Sequence, residues 1–195
     1  MATPRPRILR GLDGGARAPG AGPAPSFDAV YAEHFDFVWR CAAHRGVPTA
    51  ALDDVTQEVF IIVHRKLPEF EGRAQLRTWI GAIVRRVTAD YLRRRGNRPA
   101  ADESLEREPA DLASGDDPVD RREALRVLDS VLAKMPEDQR EVFVLRELED
   151  LSGGEIAAIT GANENTVWTR LRAARRRFRE GVAIERARRR WRQPR

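Results

Sequence analysis

The stretch LSGGEIAAITGANENTVWTRLRAARRRFR, from Leu151 to Arg179, has the pattern of two helices joined by a tight turn. Ser152 and Glu155 stand three residues apart, as a capping box at a helix start requires. Gly161 is the residue type that ends a helix in a left-handed conformation, and Asn163 is suited to cap the helix that follows. The sequence therefore predicts a helix-turn-helix motif.

The second helix of this motif has one apolar face and one polar, basic face. Its apolar residues recur four, three and four positions apart, at Val167, Leu171, Ala174 and Phe178. Its candidate DNA-contacting residues are Asn165, Thr166, Trp168, Thr169, Arg170, Arg172, Arg175 and Arg176. Such a helix suits the DNA major groove, where its first turns read base edges. The helix alone leaves open binding to a partner protein or an anionic surface, but the paired helices favour DNA.

Composition limits the class of protein. The chain has 195 residues, 42% of them hydrophobic, which is enough for one domain or two small ones with packed cores. The single cysteine, Cys41, excludes an internal disulfide and a cysteine-based zinc site, as suits a reducing compartment. No apolar run approaches the roughly 20 residues needed to span a bilayer, and no signal-peptide core is present. These features predict a soluble cytosolic protein.

Charge is distributed in blocks along the chain. Residues 1–26 and 27–100 each carry a net charge of +3, and residues 121–195 carry +6. Between them, residues 101–120 contain eight acidic residues and one basic residue, for a net charge of −7. Basic blocks are the expected electrostatic footprint of nucleic-acid binding. The two basic halves thus flank an acidic segment.

Three segments lack the periodicity of a packed element. Residues 1–26 are rich in Pro, Gly, Ala and Arg and are predicted to be a disordered basic arm. Residues 100–120 are acidic and contain Pro, as is typical of a flexible linker. Residues 181–195 form a basic tail that extends the last helix or stands free of it.

The remaining chain has helical spacing of its apolar residues. Three helices are predicted within residues 27–99, the second beginning near Asp53 and Asp54, whose acids suit a helix N-terminus. Pro68 should end that second helix. Two more helices are predicted before the helix-turn-helix, the first from Arg121.

Chemistry-bearing clusters are weak. His34, Cys41 and His44 lie on one predicted helix, but three such residues without a closing ligand favour core packing over a metal site. No phosphate loop, paired-carboxylate cleft or nucleophile triad is present. The sequence therefore predicts no metal, no cofactor and no enzymatic activity.

Two ordered motif blocks give the chain a family resemblance. The first block resembles region two of bacterial extracytoplasmic-function sigma factors, and the second resembles their region four. The blocks are DVTQEVF (54–60), RKLPEF (65–70), RTWI (77–80) and DYL (90–92), then LAKMPEDQREVF (132–143) with the helix-turn-helix. The resemblance implies an all-α protein of two small helical domains, region two at 27–99 and region four at 121–180, joined by the acidic linker.

The resemblance also implies a function. Sigma factors of this kind bind core RNA polymerase at its beta-prime clamp and beta flap, direct it to promoters and help to open the DNA. They act in the bacterial cytoplasm without a cofactor or membrane insertion, and an anti-sigma factor is their commonest regulator. The core-binding residues implied here are Asp53, Asp54, Gln57 and Glu58.

The same resemblance assigns DNA contacts to both domains. The minus-ten contacts implied in region two are Phe70, Arg73, Arg77, Thr78, Trp79, Arg85 and Arg86. The polar face of the second helix of the helix-turn-helix would read the minus-thirty-five element. The sequence departs from the family pattern at Gly81 and Arg86, where an aromatic residue and Asn are frequent, and at Trp168 and Ala173, where basic residues are common. Gly153 and Gly154 replace better helix formers at a cost of roughly 1 kcal/mol each.

Two other functions fit parts of the sequence. A stand-alone helix-turn-helix regulator would use residues 27–100 for dimerisation or sensing and would bind DNA without polymerase. A degenerate sigma-like protein would bind polymerase or an anti-sigma factor without initiating transcription. The departures at Gly81, Arg86 and Ala173 keep the second of these alternatives open.

Overall fold

The computed structural model describes residues 25–96 and 118–192. Within these ranges the chain is helical and has no strand, which confirms the all-α class. The helices are α1 (Phe27–His44), α2 (Thr49–Lys66), α3 (Leu76–Gly96), α4 (Pro118–Ala133), α5 (Glu137–Phe143), α6 (Gly153–Thr160) and α7 (Glu164–Arg192). Residues 1–24 of the predicted arm, 97–99 of the predicted first domain, 100–117 of the predicted linker and 193–195 of the predicted tail lie outside the described residues.

Helices α1 to α3 form the first domain around a shared apolar core. Val38 of α1, Val59 of α2 and Ile80 of α3 are fully buried at its centre. The domain begins one residue earlier than the sequence predicts, because Ser26 caps α1 and its hydroxyl accepts a 3.3 Å hydrogen bond from the amide of Ala29. Ser26 is therefore part of the domain rather than of the arm.

Helix α2 starts at Thr49, and the prediction of a start near Asp53 is wrong. Pro48 precedes the helix in an extended conformation, with φ −63° and ψ 149°. The fixed φ of proline suits the residue just before a helix, so α2 begins directly after it. No acidic residue lies in its first turn, and the carboxylates of Asp53 and Asp54 therefore do not complement the helix dipole. Pro68 lies in a short 3₁₀ turn, Leu67–Glu69, that follows α2.

Helices α4 to α7 form the second domain. Helix α4 begins at Pro118, three residues before the predicted start, and packs against the C-terminal half of α7. A β-carbon at Gly181 of α7 would lie 2.7 Å from Cγ1 of Val131, so this crossing requires a glycine. Lys134 and Glu185 form a 2.8 Å ion pair beside it. The predicted basic tail is thus helical as far as Arg192.

A π-helical turn, Val144–Leu148, interrupts the long helix that the sequence predicts over 137–149. The amide of Glu149 donates to the carbonyl of Val144 at 3.1 Å, five residues back. This wider turn ends α5 and changes the direction in which the next side chain points. Glu149 consequently faces the first domain.

The two domains pack against each other in one continuous core. The largest buried cluster includes Ile80 and Ile83 from α3 together with Ile156 and Ile159 from α6. A β-carbon at Gly81 would lie 2.8 Å from Cδ1 of Ile159, so the close approach of α3 and α6 depends on this glycine. The departure from the family pattern at Gly81 therefore has a structural cause.

Candidate nucleic-acid interface

The helix-turn-helix forms as the sequence predicts. Ser152 and Glu155 make both bonds of a capping box at the start of α6. Gly161 ends α6 with φ 70°, in the left-handed region. Oδ1 of Asn163 accepts a 2.8 Å hydrogen bond from the amide of Thr166 at the start of α7. These local bonds fix the angle at which α7 leaves the turn.

Helix α7 turns its buried stripe inward and a polar stripe outward. Val167, Leu171 and Ala174 are at most 1% exposed. On the opposite side of a helix with 3.6 residues per turn, four predicted DNA-contacting residues are exposed. They are Asn165, Thr169, Arg172 and Arg176. This stripe is free to enter a groove of DNA.

Two predicted DNA-contacting arginines lie on the flanks of α7 and are paired with acids of α5 and the π turn. Nε of Arg170 lies 3.1 Å from a carboxylate oxygen of Asp138. Arg175 donates two hydrogen bonds to Oε1 of Glu147, at 2.6 and 2.9 Å. These pairs occupy the two guanidinium groups, which are therefore less available than those of the outward stripe.

Trp168 lies between the outward stripe and α6. The side chain packs against Gly153, the first residue of α6, and yet the residue is 43% exposed. Thr166, at the same end of α7, is half-buried. The glycine that the sequence pattern marks as a poor helix former is thus the residue that admits the indole ring.

The predicted polymerase-binding residues form an exposed polar strip on α2. Asp53, Asp54, Gln57 and Glu58 are all exposed. Glu58 is 3.5 Å from the guanidinium group of Arg94 on α3, and the acids of the first half of the strip face solvent.

An aromatic groove runs beside this strip, and the sequence reasoning missed it. Tyr31 of α1 and Ile61 of α2 line it and are 42% and 48% exposed. Phe60 is buried at its base, and the centroid of its ring is 4.6 Å from that of Tyr31. The signal available in the sequence was Ile61 itself, a large apolar residue that stands off the buried stripe of α2.

The predicted minus-ten residue Arg77 lies at the contact between the domains. Its Nη2 atom is 2.6 Å from Oε2 of Glu149. Arg40 of α1 holds the same carboxylate with two hydrogen bonds, of 2.9 and 3.0 Å. The Glu149 side chain has no exposed surface. A carboxylate of the second domain is therefore neutralised by two cations of the first.

Two more predicted minus-ten residues are bound by the second domain. The Thr78 hydroxyl donates a 3.3 Å hydrogen bond to Glu155 of the capping box, whose pKa is lowered mainly by the Ser152 hydroxyl and amide. Arg85 lies 3.1 Å from Glu141 of α5. Arg45, a buried residue that the sequence reasoning missed, also pairs with Glu141. In this arrangement the second domain contacts both predicted groups of α3, although the Arg85 side chain keeps 34% of its surface exposed.

The other predicted minus-ten residues remain with the first domain. The rings of Phe70 and Trp79 are 5.2 Å apart, and Trp79 is buried at 9% exposure. Arg73 bonds Glu71 in the same loop. Arg86 is exposed on α3. The predicted minus-ten residues thus fall into two groups. Arg73 and Arg86 are exposed, whereas Thr78 and Arg85 contact α6 and α5.

The histidines and the cysteine of α1 do not form a metal site. In the described part of the chain no group of three or more His, Cys, Asp or Glu side chains is arranged to hold a metal ion. Burial lowers the pKa of His34 and raises the pKa of the Cys41 thiol.

None of the helices in the described ranges has the length and hydropathy that crossing a lipid bilayer requires.

Comparison with known proteins matches both domains to one family. The model of sigma-70 region 2 matches residues 30–98, and that of sigma-70 region 4 matches residues 125–178. The chain is 34% identical over 138 residues to the probable RNA polymerase sigma-C factor of Mycobacterium bovis, covering 71% of this chain and 73% of that protein. It is 32% identical over 140 residues to the ECF RNA polymerase sigma-E factor of Escherichia coli K12, covering 67% and 73%.

Solved structures share the fold. The sigma factor RpoE of Bartonella quintana, in complex with the anti-sigma factor NepR, superimposes with a TM-score of 0.69 at 23% identity, covering 81% of this chain and 97% of that one. CnrH, in complex with the cytosolic domain of CnrY, superimposes with a TM-score of 0.62 at 24% identity, covering 81% and 88%.

The fold and the two matched regions define a sigma-70 type subunit of bacterial RNA polymerase. More particularly, the chain belongs to the extracytoplasmic-function sigma factors, the family of its sigma-C and sigma-E relatives. Members of this family bind core RNA polymerase and direct promoter-specific initiation, and they are not enzymes in general.

Proposed function

We propose that this sigma factor uses α2 to dock on core polymerase, α3 to engage the minus-ten element and α7 to read the minus-thirty-five element. The observation that carries the proposal is that the first domain exposes an acidic strip on α2 while the second domain exposes a polar and basic stripe on α7. The chain has no catalytic role of its own and acts in the bacterial cytoplasm, on the nucleoid when bound to polymerase.

Core docking is assigned to the α2 strip and the aromatic groove beside it. Asp53, Asp54 and Gln57 offer carboxylates and an amide to basic groups of a partner, while Tyr31 and Ile61 offer exposed apolar surface. Apolar anchors surrounded by polar groups are the usual composition of a protein interface. The beta-prime clamp is the partner implied by the family, and the beta flap would meet the second domain.

Minus-ten binding is assigned to α3 and the loop before it. The cations of Arg77 and Arg85 suit a DNA backbone, and Phe70 is half-exposed beside Trp79 and suits stacking on an unpaired base. Glu149 and Glu141 occupy those two cations in the arrangement described here. Region two therefore binds promoter DNA only after the domains have separated.

Minus-thirty-five binding is assigned to the outward stripe of α7. Asn165 and Thr169 lie in its first two turns, where recognition helices read base edges. Arg172 and Arg176 follow on the same side. Arg170, Arg175 and Thr166 lie off this stripe and would contact phosphates, which position a domain without reading sequence.

An anti-sigma factor is the regulator that we propose for this chain. The two superimposed structures are complexes of sigma factors with such proteins, NepR and the cytosolic domain of CnrY. The exposed aromatic groove and acidic strip would serve as the shared site for polymerase and the anti-sigma factor, so that the two compete.

The experiment that tests the function is run-off transcription with bacterial core polymerase on a pool of genomic fragments from the host. Defined transcripts should appear only with this protein and should vanish with Asp54→Arg plus Gln57→Ala. Glu33→Arg is the matched control, because Glu33 is an exposed acid that α1 turns away from Tyr31. Its transcripts should persist.

Two outcomes would favour the alternatives. Binding to polymerase without any transcript would identify a degenerate sigma-like protein. Binding to DNA without polymerase association would identify a stand-alone regulator.

A further inference from the structure

We propose that Trp168 recognises the 5-methyl group of a thymine in the minus-thirty-five element and that Gly153 positions the indole ring for this contact. The inference rests on the proposed function, because it requires α7 to enter the major groove there. It names a specificity-determining residue, a residue that positions it and the base chemistry that the pair takes.

Gly153 leaves the space that the indole ring occupies. A β-carbon added at Gly153 would lie 2.6 Å from Cζ2 of Trp168, 3.0 Å from Cε2 and 3.3 Å from Nε1. The shortest of these separations is one that real side chains essentially never show. Only glycine therefore allows the first turn of α6 to approach the ring this closely.

The same contacts orient the ring. Cζ2, Cε2 and Nε1 belong to the edge of the indole that carries its N–H group, and this edge lies against Gly153. The opposite edge, formed by Cε3 and Cζ3, carries only C–H groups. Because Trp168 is 43% exposed, α7 presents part of this largely apolar ring to whatever it binds.

The position of Trp168 in α7 places the indole ring where a recognition helix reads bases. It is the fifth residue of α7 and lies one turn before Arg172 of the outward stripe. Residues near the start of a recognition helix contact base edges in the major groove. The neighbouring Val167 is fully buried, so the core of the motif is complete without the exposed part of the ring.

The major groove offers one apolar group that the indole ring can contact. Among the four bases only thymine carries a methyl group there, whereas guanine, adenine and cytosine present polar groups. Arg or Lys, which are common at this position in the family, would donate to guanine instead. The indole ring has no acceptor and a single donor, whose Nε1 atom is among the ring atoms nearest to Gly153, so apolar contact with thymine is the readout that most of its surface allows.

The test begins with holoenzyme reconstituted from core polymerase and this protein. The holoenzyme selects minus-thirty-five sequences from a promoter library in which that element is randomised. Each thymine of the selected element is then replaced by deoxyuridine, which lacks only the methyl group. At one position the affinity of the wild-type holoenzyme should fall about four-fold, as expected for one buried methyl group.

The variants separate contact from positioning. The Trp168→Ala holoenzyme should bind the thymine and deoxyuridine promoters with equal affinity, because the side chain that contacts the methyl group is absent. The four affinities form a double-mutant cycle that isolates this contact. Gly153→Ala should abolish the same discrimination by displacing the ring. Gly154→Ala is its matched control, because a β-carbon there meets only the flexible end of Glu164, at 3.1 Å, and the four-fold effect should remain.

Each other result has a distinct meaning. A holoenzyme that transcribes from the selected promoters but distinguishes deoxyuridine from thymine nowhere, or does so equally with Trp168→Ala, overturns the inference and leaves the proposed function in place. Failure to select any promoter, with no polymerase-dependent transcript, overturns the proposed function itself. Thermal unfolding of each variant identifies one that has not folded, and Trp168→Ala decides the outcome if Gly153→Ala does not fold.

Discussion

Arg77 of the first domain and Glu149 of the second, 72 positions apart in the chain, are joined by a 2.6 Å hydrogen bond from the guanidinium group to the carboxylate. The Glu149 side chain is completely buried, while that of Arg77 is 34% exposed. Arg77, which we propose as a contact to promoter DNA, thus stabilises the buried carboxylate of Glu149 in this arrangement. If Arg77 binds DNA as we propose, that binding competes with closure of the two domains.

Glu149→Gln should weaken the closed arrangement. The substitution leaves Arg40 and Arg77 without their shared counter-charge in a poorly solvated contact, and the free energy of unfolding should fall by about 2 to 3 kcal/mol. Glu147→Gln is the control, because the Glu147 pair with Arg175 is largely solvated and should contribute less than about 1 kcal/mol. Denaturant unfolding measures both, and equal losses would contradict a special role for Glu149.

Gly81→Ala should separate α3 from α6. Its β-carbon would stand 2.8 Å from Cδ1 of Ile159, an overpacking that costs about 1 to 3 kcal/mol. Ile159→Val removes that carbon, so the double variant should recover at least about 0.5 kcal/mol relative to additivity. Gly96→Ala has no atom within 4 Å of its added carbon and should not destabilise the protein. Denaturant unfolding measures the three variants. If the losses of Gly81→Ala and Ile159→Val simply add in the double variant, the strain does not arise between these two residues.

The capping box should make stability depend on pH. Hydrogen bonds from the Ser152 hydroxyl and amide lower the pKa of Glu155 below its ordinary value of 4.5. The stabilisation is complete above pH 4.5 and is lost as the pH falls through the lowered pKa of the folded state. The free energy of unfolding of wild-type protein should therefore decrease below pH 4.5 more steeply than that of Glu155→Gln. Parallel curves would contradict the assignment.

Ile61→Arg should impair binding to core polymerase. The residue is 48% exposed at the aromatic groove, and a charge there should reduce affinity at least about ten-fold, the loss expected for an interface anchor. Ile184→Arg is a control of the same residue type, 53% exposed on α7 far along the chain from the groove. Fluorescence titration of core polymerase compares them, and similar losses would show a general effect of charge.

Arg172→Ala and Arg175→Ala should differ on minus-thirty-five DNA. Arg172 belongs to the outward stripe, and its loss should weaken binding by about 1 to 3 kcal/mol at one base position. Arg175 is paired with Glu147, so its loss should act weakly and equally on all sequences. Holoenzyme binding to single-base promoter variants distinguishes the two. A uniform effect of Arg172→Ala would make it a phosphate contact.

The helix-turn-helix was predictable because its signals are local. The capping box, Gly161 and the Asn163 cap all act within four residues, where sequence spacing determines geometry. The prediction that α2 starts near Asp53 and Asp54 is wrong because the backbone restriction of Pro48, and not the charge of these two acids, determines where the helix begins. Local rules compete, and the sequence does not state which one prevails.

The contact between the domains was not predictable from the sequence. Glu149 and Arg40 are 109 positions apart, and no periodicity relates them. The π turn that aims Glu149 has no marker in its residues, since its segment reads as ordinary amphipathic helix. Gly81 had a signal, its departure from the family pattern, but its partner Ile159 was visible only in three dimensions.

The buried cluster that both domains share has a thermodynamic consequence for assembly with polymerase. If polymerase binds only separated domains, its apparent dissociation constant equals the intrinsic one divided by the open fraction of the chain. Every 1.4 kcal/mol by which closure is favoured thus weakens the apparent affinity about ten-fold. Packing between α3 and α6 sets a threshold concentration of polymerase, and a single methyl group at Ile159 is enough to move it.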